Sequence, residues 1–453
     1  MKLYLIIITI CLFYNGFCIE ENTPAGVKFI LNEKLINLML SSFYGDIQNN
    51  INTKIPLPDI GNNQKSELFI SGLTKDKIKF EFMEKGDLNL TFTNLNVYYT
   101  GFNIFYNSKF NDSLGNLCLQ QKVIINSVAN ESGIYLPKFE FNEEPKLNLT
   151  FNEKYGDGKF ANKEMNDLLM NQYFNKYIIN IVNETLNFIS DKIPKEVPLS
   201  SDSWVYVDLN MIGPIEPRNK SIQITSYGFL YNKDWIASHN LSRYSLSNIP
   251  SIKNDSHQLY ISAYSMSSAI YSLLTIHKKS IVFNPNYFKM QYMFPRILEK
   301  FKNCIFYIIF NGSMDFKVEL MEGYMNVIIP GTFEVKASGD DIISLFKSQV
   351  ELTLNAELFI ISYNHHISAN VNDLSLKTIK IETNIINNDT YNESVFQIGL
   401  SQIKEKFIEE INKFIKSYLF MTRINIMNIE LKNIKFEHKK DYIIMNFDYI
   451  KGY

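Results

Sequence analysis

The feature that most constrains this chain is the apolar run that opens it. From Ala25 to Gln48, Val27, Ile30, Leu31, Leu35, Leu38, Met39, Phe43 and Ile47 recur at steps of three and four. That spacing predicts one long helix with a broad apolar stripe. Such a stripe must be buried in a core, in a membrane or against an apolar ligand. Which of the three it meets is most of the functional question.

Met1 to Cys18 reads as a secretory signal: Lys2 is the positive start, Leu3 to Leu12 is the apolar run, and Gly16-Phe17-Cys18 lies at the expected cleavage point. The run is shorter than the roughly 20 residues that span a bilayer. No later segment is long and apolar enough to cross. The expectation is a soluble, exported protein, in the secretory lumen or outside the cell. Eleven Asn-X-Ser/Thr sequons (Asn89, Asn111, Asn130, Asn148, Asn183, Asn219, Asn240, Asn254, Asn311, Asn388, Asn392) fit that route. Asn89 and Asn148 lie in predicted strands, where a glycan is disfavoured.

At 453 residues the chain exceeds one ordinary core, so two domains are expected. Its 46% apolar and 14% aromatic content can fill them and leave side chains for a ligand. Net charge is −2, and residues 19–200 hold eighteen Lys or Arg against twenty-two Asp or Glu. Neither half forms a cationic patch, which argues against nucleic acid as a partner.

A second stripe, Met165, Leu168, Leu169, Tyr173, Ile178, Ile179, Val182, Leu186, Ile189 and Ile193, predicts a helix over 163–192, ended by Pro194 and Pro198. Between the helices, Leu88, Leu90 and Phe92 alternate with Asn89 and Thr91, and Leu147, Leu149 and Phe151 with Asn148 and Thr150. Period-two patterning means a sheet with one apolar face. Lys233 to Ser256, rich in Ser and Asn, reads as a linker.

The second half repeats the order. Tyr260 to His277 and Asn286 to Phe301 are helix-like. Strands follow at Ile305 to Phe310, Met325 to Ile329, Thr332 to Ala337 and through Leu352 to Ile360. Phe396 to Phe420 predicts a closing helix with Ile403, Phe407, Ile411, Phe414, Ile415 and Tyr418 on one face. Ile443, Met445, Phe447 and Tyr449 alternate in a last strand. Two long helices per half can be buried only if a curved sheet wraps them, and such a wrap leaves an elongated apolar gap.

This order resembles the family of bactericidal/permeability-increasing protein, lipopolysaccharide-binding protein, phospholipid transfer protein and cholesteryl ester transfer protein. Pro24-Ala25-Gly26-Val27 looks like the family's opening, and Ile55-Pro56-Leu57-Pro58-Asp59 like the segment after its first helix. Leu88 to Ile104 resembles the first barrel's strand pair, and Asn286 to Ile308 the second barrel's Phe-rich helix and strand. The resemblance implies an α+β boomerang: two elongated half-barrels, each a curved antiparallel sheet wrapped on long helices, joined by a central antiparallel sheet. The implied divisions are a signal at 1–18, a first barrel at 19–200, central strands and linker at 201–256, a second barrel at 257–422 and closing strands at 423–453.

It also implies a bound phospholipid or other acyl lipid in two apolar pockets, shuttled between membranes or particles through transient contact with their surfaces. The lining residues would be Val27, Ile30, Leu31, Leu35, Leu38, Met39, Leu88, Leu90, Phe92, Leu168, Leu169, Ile178, Ile179, Val182, Leu186, Ile403, Phe407, Ile411, Phe414 and Ile415. Two departures stand out. The family's first-barrel disulfide is missing at both ends, around Ile134 to Phe141 and Ile178 to Val182, and Cys118 and Cys304 are expected too far apart to bond. The tip loops, Asp59 to Lys65 and Asn107 to Asn116, carry only Lys65 and Lys109 beside Asp59, Glu67 and Asp112, a poor grip on lipopolysaccharide. The rival readings are a lipopolysaccharide-binding antimicrobial or pattern-recognition protein, and a secreted structural or adhesion protein whose tubes are filled by its own Phe and Tyr.

No catalytic elbow, zinc helix or phosphate loop occurs, so no enzyme, cofactor or metal is expected. Adjacent residues on a strand point to opposite faces and rarely chelate one ion, so His365-His366 reads as a solvated loop pair. Cys304, beside no obvious base, reads as a buried thiol rather than a nucleophile, Asp340-Asp341 as exposed charges at a helix start, and Glu409-Glu410 as the wet face of a helix.

Overall fold

The computed structural model describes residues 23–42, 45, 48–49, 54–57, 66–83, 88–103, 108–141, 146–151, 195–198, 205–218, 220–232, 246–252, 258–276, 281–285, 287–294, 301, 303–339, 341–361, 366–384, 392–416, 420–421, 423–424 and 429–451. The expected signal, the helix expected over 163–192 and His365 lie outside them.

The central sheet organises the molecule. Its seven antiparallel strands run, in order, Glu216–Arg218, Ser221–Ser226, Val27–Asn32, Gln258–Ser262, Tyr442–Lys451, Ile429–Lys439 and Arg423–Ile424. Both ends of the chain and its middle therefore meet in one sheet. Here the helix expected from Ala25 is corrected. Val27, Ile30 and Leu31 belong to a strand, and the helix α1, described as Glu33–Ser42, begins only at Glu33. Ser221–Ser226 pairs the whole of Val27–Asn32 on one edge and Gln258–Ser262 pairs Val27 to Phe29 on the other, and its Val, Phe and Ile suit a pleated surface. The Asn32 side chain accepts from Leu35 N at 3.0 Å, which caps the helix and marks the switch.

The same correction applies at the second half's start. Tyr260 and Ile261 are in the strand Gln258–Ser262, and the helix α2 covers Ala263–Ile276. Ser262 Oγ caps it by accepting from Ser265 N at 3.2 Å. Strand, capping residue and helix thus occur twice, and the two strands lie side by side, antiparallel, with Lys28 opposite Tyr260.

The N-terminal sheet is built on two long strands, Leu88–Asn103 and Ser108–Ala129, flanked by Lys54–Leu57, Ser66–Ser71, Ile78–Phe82, Tyr135–Phe141 and Lys146–Phe151. The C-terminal sheet orders Ile281–Phe283, Ile305–Gly312, Met325–Ser338, Ile342–Ile361, His366–Asn384 and Phe420–Met421. The strands expected at Met325 and Thr332 are one, running through Pro330-Gly331. Asp341 sits in the hairpin before Ile342–Ile361, so no helix starts there. Bulges interrupt both sheets' long strands and curve them into half-barrel walls. Two helices fill the C-terminal wall: α3, Tyr287–Met293, and α4, Glu393–Lys416. On the wet face of α4, Glu409 and Glu410 pair with Lys406 and Lys413.

Cys118 and Cys304 are both free thiols. Among the sequons, Asn89 is 7% exposed and has no room for a glycan, while Asn392 is spent capping α4, its Oδ1 accepting from Ser394 N.

Gly399 is what lets α4 cross α3. A β-carbon there would lie 2.3 Å from Met293 Cα and 2.4 Å from its N. Backbone cannot yield as a side-chain tip can, so Gly399→Ala should lose about 1–3 kcal/mol in urea unfolding. An unchanged midpoint would refute the crossing.

His438 ties the central sheet to the C-terminal wall. Its Nε2 accepts from Leu358 N at 3.2 Å, so the proton sits on Nδ1, which is buried with no hydrogen-bond partner. Burial lowers its pKa, and Glu357 only partly offsets this. The unfolded chain then takes the proton first as pH falls. The imidazole's contribution is intact above about pH 6.5 and is lost below it, by at most about 1.4 kcal/mol per pH unit. The stability gap between the wild type and His438→Gln should therefore narrow between pH 7 and pH 5.

Candidate functional site

α1 leaves the central sheet and turns its apolar face back under it. Asn37 holds the helix in place by acting as an extra strand residue. Its Nδ2 donates to Phe80 O at 2.9 Å, and its Oδ1 accepts from Phe80 N at 3.0 Å. The helix is thereby fixed between the N-terminal sheet and the underside of the central one.

Leu35 and Leu38, three apart, reach that underside. They join a patch of Leu259, Ile261, Ile367, Leu431, Ile434, Phe436, Met445 and Phe447. A bulge makes the patch possible. Between Lys432 and Lys435 the register slips, with Asn433 at φ 51° and its Nδ2 on Asp448 Oδ2 at 2.8 Å. Leu431 and Phe436, five apart, then share one face.

The patch differs from the rest of the interior. Only Leu431 and Met445 are buried; Leu35, Leu38, Leu259, Ile261, Ile367, Ile434, Phe436 and Phe447 are each half-buried. Ile261 and Phe436 also touch the C-terminal core, where Ile408 and Ile415 are half-buried too. A band of incompletely covered hydrocarbon thus runs along the junction of the two halves. Protein interiors do not normally leave such a band, and it is the arrangement an apolar guest completes.

The C-terminal half is the opposite case. Phe294, Phe333, Phe346 and Phe396 are almost wholly buried and pack ring to ring, with Phe346–Phe396 centroids at 5.6 Å and Phe333–Phe396 at 5.7 Å edge-on. Phe407 stacks on Phe283 at 5.1 Å. Ile403, Phe407 and Ile411, on the inner face of α4, are at most 2% exposed and surrounded by these neighbours. This stretch is filled by the protein's own phenyl rings.

The other expected lining residues divide as follows. Leu88, Leu90 and Phe92 are each 1% exposed on the inner face of the N-terminal sheet, opposite Phe82, Phe80 and Ile78. Val27 is buried against Gly228, and Ile30 lies on the far side of the central sheet with Ala25, Ile249 and Ile252. Leu31 and Phe414 are half-buried. Leu168, Leu169, Ile178, Ile179, Val182, Leu186 and the side chain of Met39 lie outside the described residues. Of the sequence-derived set, Ile415 is half-buried against the C-terminal core, and among the described residues only Leu35 and Leu38 join the patch beneath the central sheet. The residues sequence reasoning missed there come from strands; the alternation of Met445 and Phe447 with polar Asn446 and Asp448 was the signal for two of them.

Among the described residues, no group of His, Cys, Asp and Glu could hold a metal ion, and no helix is long and apolar enough to cross a membrane.

The split between halves has a measurable consequence. Phe396→Ala should cost about 3–5 kcal/mol in denaturant unfolding. It should leave any bound lipid in place, as judged by extraction of the natively purified variant.

Comparison with known proteins finds no matching family model and no matching curated protein. Among solved structures, the chain is similar to a lipopolysaccharide binding protein, at 12% identity over 95% of this chain and 100% of that one, with a TM-score of 0.46. It is also similar to P47 of Clostridium botulinum E1, at 13% identity over 94% and 100% with a TM-score of 0.36. P47 from Clostridium botulinum A2 matches at 12% identity over 94% and 97%, with a TM-score of 0.32.

Proposed function

We propose that this chain is a secreted, non-enzymatic lipid-binding protein that holds an acyl chain against the junction band beneath the central sheet and exchanges it between membranes or particles. The observation that carries the reading is the concentration of half-buried apolar side chains at Leu35, Leu38, Leu259, Ile261, Ile434, Phe436 and Phe447, whereas among the described residues most of the C-terminal core is fully buried. The sequence's resemblance to the bactericidal/permeability-increasing family, and the two-barrel boomerang it implies, belong to the same proposal.

The physics suits a carrier. An acyl chain of about fifteen methylenes gains roughly 12 kcal/mol on leaving water. It gains little on leaving a bilayer, so loading and unloading are nearly balanced. The head group would remain at the mouth, in water. A phospholipid fits this better than lipopolysaccharide, because the acidic first half offers no cluster of Lys and Arg for a phosphorylated head. For the C-terminal half the ring packing around Phe396 favours a structural reading, so one lipid per chain is expected rather than two.

The test is the lipid content of the natively purified, full-length chain by native mass spectrometry. About one acyl lipid per chain is expected, and Leu38→Lys should lower it several-fold by placing an ammonium among the methylenes. A wild-type chain free of lipid, and unable to take any from phosphatidylcholine vesicles, would falsify the proposal.

A further inference from the structure

A small sheet beside the central one carries a different kind of site. Glu196–Pro198, Val205–Asp208 and Phe229–Asn232 pair antiparallel, with Glu196 opposite Asp208, Asp208 opposite Phe229, and Tyr206 opposite Tyr231. Cross-strand partners share a face, and so do alternate residues. Glu196, Tyr206, Asp208, Phe229 and Tyr231 therefore stand on one side. Tyr206 and Tyr231 stack at 6.1 Å and 25°, Phe229 and Tyr231 at 6.2 Å and 17°, so the three rings form a near-parallel row. Tyr264 of α2 comes in over Phe229 at 5.8 Å and 45°.

The edge beyond Phe229–Asn232 is closed by the same helix. Ser268 Oγ accepts from Leu230 N at 3.0 Å, and Ser272 Oγ donates to Leu230 O at 2.9 Å. The box is thus held on three sides by backbone.

Its chemistry is unbalanced. Asp208 Oδ1 accepts from Asn210 N at 2.8 Å, but the charged group acting on its carboxylate is another acid, Glu196. Burial first, and then Glu196, push Asp208 above the usual carboxylate range. Tyr231 donates to Glu196. Tyr264 is 6% exposed, and burial and then Asp208 push its phenol up to about 12. Two facing carboxylates and a row of aromatic rings both favour an incoming positive charge. A hard metal ion would want about six oxygens, more than this box offers. An alkylammonium, weakly hydrated and attracted to π-faces, fits.

We infer that this box, with Asp208 as counter-ion and Tyr206, Phe229, Tyr231 and Tyr264 as its walls, is a binding subsite for a quaternary ammonium group of the choline type. It deepens the lipid-binding reading, and rests on it only where the ammonium belongs to a lipid head group. Gly228 ties the box to the central sheet: its N donates to Asp208 O at 2.8 Å, and Val27 lies against its α-carbon.

The experiment titrates the full-length chain with choline chloride by calorimetry, against sodium chloride at equal ionic strength. Saturable binding is expected, weakened about tenfold in Asp208→Asn and in Tyr206→Leu and largely kept in Tyr206→Phe. Tyr206 is half-buried at the rim, so its variants serve should Asp208→Asn fail to fold. No saturable choline binding by the wild type, or equal binding by Tyr206→Leu and Tyr206→Phe, overturns the inference. Lipid extraction separates the sources. Choline lipids enriched on the wild type and lost on Asp208→Asn, at constant total acyl content, identify a head group. Choline binding with unchanged lipid composition identifies a free ammonium compound. A lipid-free wild type that still binds choline sinks the lipid reading and keeps this one.

Discussion

Everything in this fold hangs on the pairing of Val27–Asn32 with Gln258–Ser262. The two strands are 232 positions apart in sequence, judged by the Lys28–Tyr260 register. Closing so long a loop is entropically unfavourable, and each strand alone is short. The pair survives because both of its outer edges are paired and one of its faces is fully covered. Ser221–Ser226 and Tyr442–Lys451 supply the edges. On one face Lys28 is wholly buried, and its ammonium donates to Ile249 O at 2.7 Å. Ile252 N donates to Gln223 Oε1 at 2.8 Å nearby, so the 247–252 segment is pinned down as a lid over that face. A buried ammonium is costly, and desolvation lowers its pKa, with Glu216 as the nearest offsetting charge. A lysine in this place specifies which segment covers the sheet more than it stabilises it. Together with the buried Gln223 it makes a demand that an apolar competitor could not satisfy.

The other face of the same pair is where the two halves meet, and it is deliberately less finished. α1 and α2 emerge from the pair in symmetric fashion, each behind a capping side chain, Asn32 and Ser262. They then take different roles. α2 is stitched by Ser268 and Ser272 to a strand edge and is largely buried. α1 is stitched by Asn37 to Phe80 and keeps Leu35 and Leu38 half-buried. A repeated start therefore yields one helix spent on packing and one whose apolar stripe still faces an incompletely covered junction.

Much of this was legible in the sequence, and the failures have physical causes. Alternation placed the inner face of the N-terminal sheet at Leu88, Leu90 and Phe92 and the last strand at Ile443 to Tyr449, because those positions obey period two. It could not carry through the bulges. Phe92 and Leu95 share a face although three apart, since Asn94 takes φ 51° and adds a residue to the register; Asn433 does the same between Leu431 and Phe436. Asn tolerates that conformation, but a lone Asn in a chain this rich in Asn is no signal. The opening was misread because Val27, Ile30 and Leu31 fit a helical stripe as well as they fit a two-sided strand. The arbiters were Asn32 and Gly26. A β-carbon at Gly26 would lie 1.4 Å from Tyr227 O, so only glycine fits where the chain enters the central sheet.

The contrast between the halves bears on what kind of binding the molecule can support. A cavity the protein fills with Phe333, Phe346 and Phe396 gains cohesion from edge-on and tilted ring pairs and excludes a guest by volume. A band lined by Leu, Ile and two Phe side chains on strands of different parentage has no such mutual fit. Its members come from α1, the central sheet and His366–Asn384, and each is fixed by its own backbone pairing, so they cannot collapse together to shut out water. The cost of leaving them half-wet is borne by the sheet that holds them. An apolar guest recovers that cost without moving the backbone, and its departure returns the band to the state the hydrogen bonds already enforce. Binding of this kind needs no closing lid and no strained intermediate. A rigid frame with a few unsatisfied methyl and phenyl faces is sufficient.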